Sequence, residues 1–145
     1  MSVKGLPSKG TIFAIGAGDA ESVAYASDTF TTVGRTTGIP IPDITRNGIE
    51  VTDLSDDWET NIPGILRGGT INVAVMRVFA EAGQQAMLAA LMDAEKKWYK
   101  ITFSDGTVKY GTCWVLGESG DTGVDAAITG TFAVKIETAT EVEAP

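Results

Sequence analysis

The sequence predicts a mainly β domain, an antiparallel sandwich or barrel-like fold with one flanking α-helix and one long loop. Apolar and polar residues alternate over residues 70–79, 98–103 and 126–138, as in half-buried strands. Only residues 82–95 have good helical periodicity. Residues 43–69 form a connection several times longer than a hairpin needs. At 145 residues we expect a single domain, residues 1–145.

The first third of the chain is predicted to contain a loose arm and two short strands. Residues 1–9 are polar with Gly and Pro, which is typical of a flexible N-terminal arm. Residues 11–17 and 30–35 have strand composition. The sequence GIPIP that follows is expected to be extended, because proline disfavours helix in the residue before it.

The middle of the chain supplies a strand and the helix. In the strand over 70–79, one face is apolar and Arg77 marks the point where burial is expected to end. The apolar positions of that face are Ile71, Val73 and Val75. The helix over 82–95 is expected to pack through a Met/Leu stripe formed by Met87, Leu88, Leu91 and Met92.

The last third is predicted to be all strand. Asp105-Gly106 is a tight-turn signal between two strands, and residues 118–123 are expected to form a second turn. The predicted buried positions are Tyr99, Ile101, Phe103, Ile128, Phe132, Val134 and Ile136. Residues 139–145 are acidic and are predicted to be a flexible tail.

Charge and composition exclude several classes of protein. The net charge is −8, which argues against a nucleic-acid binder that must neutralise phosphates. The chain has no histidine, the commonest general base and metal ligand. Its one cysteine, Cys113, lies in a strand-like run and is expected to be a buried structural thiol. No apolar run approaches the ~20 residues of a membrane-spanning helix, so no membrane contact is expected.

Two motifs suggest chemistry only weakly. Gly16-Ala17-Gly18 follows a strand, but Glu21 stands where a dinucleotide loop needs its third glycine. An acidic cluster in the long loop suits a Ca²⁺ site or a carboxylate-dependent hydrolase, a solvated loop, or a surface that faces an anionic cargo. Its members are Asp53, Asp56, Asp57 and Glu59. No catalytic residue, cofactor or metal is predicted.

The long loop, residues 43–69, carries too much apolar surface to remain in water, and the most economical partner is a second copy of the chain. The residues predicted to contact that copy are Ile49, Val51, Thr52, Leu54, Trp58, Glu59, Ile62, Pro63, Gly64 and Ile65.

The run GIEVTDLSDDWETNIPGILRGGTINVAV resembles the central signature of tail tube proteins of long, non-contractile-tailed bacteriophages. The matching features are Val51-Thr52, the Ser55–Glu59 stretch, Pro63-Gly64 and the glycines before the alternating strand. The helix, the Phe103–Thr107 hairpin and the final strand TGTFAVKIET follow in the order expected for the family.

The resemblance implies a structural, non-enzymatic virion protein, made in the host cytoplasm and located in the virion tail. It implies six-membered rings that stack into a tube with a continuous inner β-barrel, and a long loop that reaches neighbouring subunits. The implied partners are the tape-measure protein and the tail-tip and terminator proteins, and DNA passes through the lumen without specific binding.

The face that lines the lumen is assigned to small uncharged positions. The candidates are Asn72, Ala74, Thr129 and Thr131. The alternative functions are a small β-barrel or sandwich module that binds a ligand under a loop lid, and a carboxylate-dependent hydrolase using Asp56, Asp57 or Glu59.

Overall fold

The computed structural model describes residue 5 and residues 9–143, so most of the predicted arm at residues 1–9 lies outside the described residues. The strands in the described part are β1 (Ile12–Gly16), β2 (Phe30–Thr32), β3 (Thr36–Gly38), β4 (Ile44–Glu50), β5 (Asn61–Gly68), β6 (Thr70–Met76), β7 (Lys97–Thr102), β8 (Val108–Asp121), β9 (Thr129–Ile136) and β10 (Thr140–Val142). The α-helix is α1 (Ala82–Asp93), and Tyr25–Ser27 form one 3₁₀ turn.

The main sheet has eight strands and curls into a barrel. Its order is β2-β1-β7-β8-β9-β6-β3, with β10 added beside β8, and its neighbouring strands are antiparallel. The edge strands β2 and β3 are separated in the chain only by Val33–Arg35. From Thr32 to Thr36 the chain takes four residue steps, which span at most about 14 Å. The neighbouring ends of β2 and β3 are therefore close in space, although the two strands form no ladder with each other.

Two hydrogen bonds show how the connector Val33–Arg35 closes the barrel. The Val33 amide donates to the Phe13 carbonyl of β1, and the Met76 amide of β6 donates to the Arg35 carbonyl, both at 2.8 Å. Arg35 adopts a left-handed conformation with φ of 61°, which turns the chain between the two edges. The predicted mainly β, barrel-like fold is confirmed.

The interior is filled by the predicted strand faces. Alternate residues of β1, β6, β7, β8 and β9 point inward and form one core, since successive side chains of a strand lie on opposite sides of the sheet. The largest fully buried side chains are Tyr99, Phe13, Phe132, Ile15, Met87 and Ile101. Cys113 is buried among them, and this burial raises the pKa of its thiol to about 12. The structural role expected for Cys113 is confirmed.

Helix α1 packs on β1, β2 and β8 through a face that differs from the predicted one. Met87 is buried, but Leu88 and Leu91 are half-buried and Met92 is exposed. Gly83 and Gln84 are buried instead. A β-carbon on Gly83 would collide with the Thr32 carbonyl oxygen, so a glycine here lets the helix approach the barrel closely. Gly83 is small and Gln84 is polar, so neither contributes to the apolar pattern from which the buried face of the helix was predicted.

Three other segments differ from the sequence predictions. The predicted turn over 118–123 is in strand up to Asp121, because β8 continues its ladder with β9 as far as the pair Asp121–Thr129. The predicted flexible tail contains β10, which pairs with β8. The long loop 43–69 is a two-stranded β-hairpin, β4–β5, in a sheet of its own.

Gly16-Ala17-Gly18 is a strand end followed by a turn.

We expect Phe132→Ala to destabilise the domain by about 3–5 kcal/mol, because it leaves a cavity in a packed core. The Phe132 ring is 0% exposed. Urea unfolding measures the change. Thr131→Ala, on the opposite face of β9, is the control and should change stability by less than about 0.5 kcal/mol. Equal stability of the Phe132 variant and the wild type would contradict this assignment of the strand faces.

Candidate assembly surfaces

The hairpin β4–β5 projects from the barrel with its residues largely exposed to solvent. Its ladder runs from the pair Ile44–Gly68 to the pair Glu50–Asn61. Every residue of β4 is exposed, and in β5 only Gly64 and Gly68 are half-buried. A two-stranded ribbon with no third layer is marginal by itself in water. The hairpin therefore needs another surface to pack against in order to be stable.

One face of the hairpin is apolar. Residues paired across an antiparallel ladder lie on the same side, and β5 accommodates one extra residue between its partners for Arg46 and Gly48. The resulting apolar hairpin face consists of Ile49, Val51, Ile62 and Ile65. All four side chains are among the exposed large hydrophobic residues, with Ile65 at 70%. The opposite face is mixed and carries Ile44, Arg46, Glu50, Pro63 and Leu66.

The tip of the hairpin is closed by hydrogen bonds of its own polar side chains. The Thr60 amide donates to the Thr52 hydroxyl at 2.7 Å, and the Val51 amide donates to the Thr60 carbonyl at 2.8 Å. Leu54 is fully exposed and Trp58 is 84% exposed. Glu59 accepts a hydrogen bond from the Asn61 amide group at 3.3 Å.

The acidic cluster shapes this tip. Asp53 accepts hydrogen bonds from the Ser55 amide and hydroxyl, at 2.8 and 2.6 Å, and these bonds lower the pKa of its carboxyl. Asp56 accepts a hydrogen bond from the Asp53 amide at 3.0 Å. Among the described residues, no group of three or more His, Cys, Asp or Glu side chains is arranged to hold a metal ion. Two of the four acids therefore act in forming the turn.

The hairpin joins the barrel at the glycine pair Gly68-Gly69. A β-carbon on Gly68 would collide with the Ile136 carbonyl, and Lys135 donates a hydrogen bond to the Gly68 carbonyl at 2.5 Å. The Ile136 amide donates to the Gly69 carbonyl, while the Gly69 amide donates to the Asp43 carbonyl, both at 2.9 Å. The base of the hairpin is therefore anchored to β9. Within the hairpin, Gly64 lies where a β-carbon would be 2.9 Å from the Asn47 carbonyl oxygen.

The four candidate lumen positions share one face of the barrel. In the β6–β9 ladder Ala74 pairs with Thr131, Asn72 with Ala133, and Met76 with Thr129. These positions lie on the outer side of the barrel, since the alternate residues Ile71, Val73 and Val75 are buried. Asn72 and Thr129 are exposed, and Ala74 and Thr131 are half-buried. The four candidate positions therefore form a patch of short, uncharged side chains, and Met76 and Lys135 border it on the same face.

A second apolar surface lies at the far end of β6, and the sequence did not predict it. Val78 and Phe79 follow the strand, and Ile128 is tied to this point because its carbonyl accepts a hydrogen bond from the Arg77 amide at 2.8 Å. The three side chains are exposed, with Phe79 at 62%. We call Val78, Phe79 and Ile128 the barrel-end patch. Ile128 was expected to lie on a buried face, but β9 begins at Thr129 and Ile128 is exposed.

Arg77 lies beneath this patch, and burial along β6 ends at it as predicted, since Val78 and Phe79 are exposed. Its side chain is 6% exposed and forms an ion pair with Glu118 at 3.3 Å. The guanidinium carbon is 4.8 Å from the centre of the Phe79 ring and 5.5 Å from that of Phe132. Cation–π contacts of this kind hold an exposed ring in place. Phe79 is therefore an exposed aromatic ring with a fixed support.

Gln84 of α1 connects the supporting groups. It is 0% exposed, and its side-chain oxygen accepts from Arg77 at 2.9 Å and from the Val78 amide at 3.0 Å. Its amide group donates to the carbonyls of Gly34 and Met76, at 3.1 and 3.0 Å. One side chain thus joins the helix, the end of β6 and the connector that closes the barrel.

Solved structures place this fold among subunits of phage-like tails and injection tubes. A chain in the virion of a native gene transfer agent matches with TM-score 0.69 and 14% identity, over 96% of this chain and 100% of that chain. A chain of the SPP1 tail tube matches with TM-score 0.63 and 15% identity, over 97% and 81%. A chain from the sheath/tube terminator of an extracellular contractile injection system matches with TM-score 0.66 and 10% identity, over 99% and 100%.

Residues 13–142 match the family model described as lambda phage tail tube protein. Because this match covers most of the chain, the protein belongs to that family, and the predicted resemblance to phage tail tube proteins is confirmed. The protein is a structural tail tube protein.

No curated protein sequence matches the chain significantly. Within the described residues, no helix is long and apolar enough to cross a membrane.

We expect Gln84→Leu to lower the free energy of unfolding by about 2–4 kcal/mol, because it leaves buried donors and acceptors without partners. Arg77 and the Val78 amide lose their acceptor, and two carbonyls lose a donor. Urea unfolding tests this, with Gln85→Leu as the matched control. Gln85 is exposed and makes one hydrogen bond, to the Phe79 carbonyl. Similar losses in the two variants would contradict the role given to Gln84.

Proposed function

We propose that copies of this chain form six-membered rings, that the rings stack into the tail tube, and that the β4–β5 hairpin makes contacts between copies. A matched gene transfer agent tail has C6 symmetry and a matched anti-feeding prophage baseplate is six-fold symmetrised, which supports the ring size. A ring or stack needs an element on one copy that fits a different surface on the next. The projecting hairpin is such an element.

The apolar hairpin face is the observation that carries this proposal. Four large aliphatic side chains, Ile49, Val51, Ile62 and Ile65, line up on a ribbon that has no layer over it within the described chain. Burying the exposed part of each side chain contributes about 1 kcal/mol. The tip adds Leu54 and Trp58, which have larger exposed fractions. Burial against a second copy removes this surface from water.

The proposal predicts that Ile62→Asp with Ile65→Asp abolishes polymerisation and leaves a folded monomer. Carboxylates cannot be buried in an apolar contact without a large desolvation cost. The matched control is Ile44→Asp with Leu66→Asp, the same change on the opposite face of the hairpin. Negative-stain microscopy and sedimentation measure the polymer, and circular dichroism checks the fold. Normal tubes from the Ile62/Ile65 variant would contradict the proposal.

We further propose that the outer face of β6–β9 lines the lumen and that DNA passes along it without specific binding. Asn72, Ala74, Thr129 and Thr131 carry no charge and are short, which suits an open bore. The net charge of −8 supports mobility of an anionic cargo, because basic walls bind phosphates through counterion release.

If this face lines the lumen, Thr129→Lys with Thr131→Lys leaves tube formation intact and lowers infectivity at least tenfold, because the added positive charges retain DNA. Ala89→Lys with Met92→Lys, on the exposed side of α1, adds the same charge and is the control. Titre and DNA ejection rate are measured on particles carrying each variant. Unchanged infectivity of the Thr129/Thr131 variant would assign the lumen to another face.

The remaining elements of the proposal concern partners and location. The tube encloses the tape-measure protein during assembly, and its ends bind the tail-tip and terminator proteins. One matched structure contains a sheath/tube terminator, which supports the last of these contacts. The subunit is made in the host cytoplasm, becomes part of the virion tail and has no enzymatic activity. The absence of histidine from the sequence and the buried thiol of Cys113 support the last point.

A further inference from the structure

The two exposed apolar surfaces lie at opposite ends of the same strand pair. The hairpin leaves the barrel at Gly68-Gly69, immediately before β6 begins at Thr70. The barrel-end patch follows the end of β6 at Met76. The β6–β9 ladder between them has seven residue pairs, which corresponds to about 20 Å at ~3.3 Å per residue. A copy displaced along this ladder therefore brings the hairpin of one subunit toward the patch of another.

The barrel-end patch has the properties of a preorganised receptor surface. Phe79 is exposed, yet Arg77 holds its ring from below, and Arg77 is fixed by Gln84 and Glu118. Exposed aromatic side chains with rigid support are typical interface anchors, because little side-chain freedom remains to be lost on binding. An aromatic ring that faced solvent permanently would need no such support.

The charges around the two surfaces are complementary. Arg67 is the one charged residue of β4–β5 on the side of the apolar hairpin face, where it pairs with Thr45. On the patch side, Asp121 ends β8 and Asp125 lies in the segment that leads to Ile128, whereas the charge of Glu118 is paired with that of Arg77. Placing the hairpin face on the patch thus combines apolar burial with an attraction between opposite charges at the rim.

We propose that the apolar hairpin face of one copy docks on the barrel-end patch of a second copy. This inference rests on the proposed assembly and specifies the receptor for the hairpin. The contact is head-to-tail, because the two surfaces are different and lie at opposite ends of the β6–β9 ladder. Each subunit donates one hairpin and receives one, so the contact repeats from copy to copy.

Disulfide trapping tests the contact directly. Ile65→Cys with Phe79→Cys places one thiol on each surface, and the native Cys113 is 0% exposed and stays unreactive. Oxidation of assembled protein should give a ladder of covalent oligomers on a non-reducing gel. An equimolar mixture of the two single variants should give only covalent dimers, because each copy then carries one of the two thiols. Leu66→Cys with Phe79→Cys, on the other face of the hairpin, is the matched control and should give at least tenfold less product.

The outcomes separate the contact from the assembly itself. Tubes without a ladder from the Ile65/Phe79 pair, or with an equal ladder from the Leu66/Phe79 pair, would overturn the contact and leave the proposed function intact. Wild-type protein that never polymerises would overturn both.

If Phe79→Cys blocks assembly, the pair Val78→Cys with Ile65→Cys replaces it, and the presence or absence of the covalent ladder again tests the contact. In addition, Phe79→Ala should raise the critical concentration for polymerisation at least tenfold, whereas Met92→Ala, exposed on α1, should leave it unchanged. Equal critical concentrations for Phe79→Ala and the wild type would also overturn the contact.

Discussion

Closure of the main sheet through the connector Val33–Arg35 is the constraint on which the rest of the structure depends. The connector bonds to β1 on one side and to β6 on the other, so it joins the two edges of the sheet within the subunit. Unpaired edges are sites of uncontrolled aggregation in proteins made at high concentration. A tube subunit has to stay soluble before it polymerises, and a closed barrel leaves recognition to selected surfaces.

Because side chains fill the interior of the barrel, the surfaces that can make functional contacts lie on its outside. Phe13, Tyr99, Phe132 and the aliphatic side chains of the core occupy the interior. The ligand-binding alternative, with residues 43–69 as a lid, requires a cavity beneath that segment. The segment instead forms a hairpin that is hydrogen-bonded to the barrel at its base, through Gly68, Gly69 and Lys135. Its two faces differ in polarity, which suits a contact with a surface more than closure over a pocket.

Helix α1 stabilises the surface at the end of the barrel as well as the core. Through Gln84 it fixes Arg77, Val78 and the connector that closes the barrel, so the end of β6 is rigid although it lies at the surface. A buried polar group is tolerated only when all its partners are present, and all four hydrogen bonds of this amide are made. Stability of the barrel end and presentation of Phe79 therefore depend on the same side chain.

The sequence by itself determined the mainly β class, the inward faces of β6, β7 and β9, the turn at Asp105-Gly106 and the family resemblance. These features are local, since alternation of apolar residues reports which face of a strand is buried. It also identified the apolar character of Ile49, Val51, Ile62 and Ile65, although not their alignment on one face. That alignment depends on the strand pairing of β4 with β5 and on the extra residue in β5.

Tertiary structure alone decided the barrel closure, the strand β10, the burial of the Gln84 and Arg77 side chains, and the contact of Arg77 with the Phe79 ring. Each results from groups distant in the chain: Gln84 reaches Gly34, Arg77 reaches Glu118, and β10 pairs with β8. A polar residue in a helix is ordinarily expected to face solvent. The local sequence does not show that its hydrogen-bond partners lie in distant parts of the chain. The packing of distant elements supplies those partners, and with them the surface on which a second copy can dock.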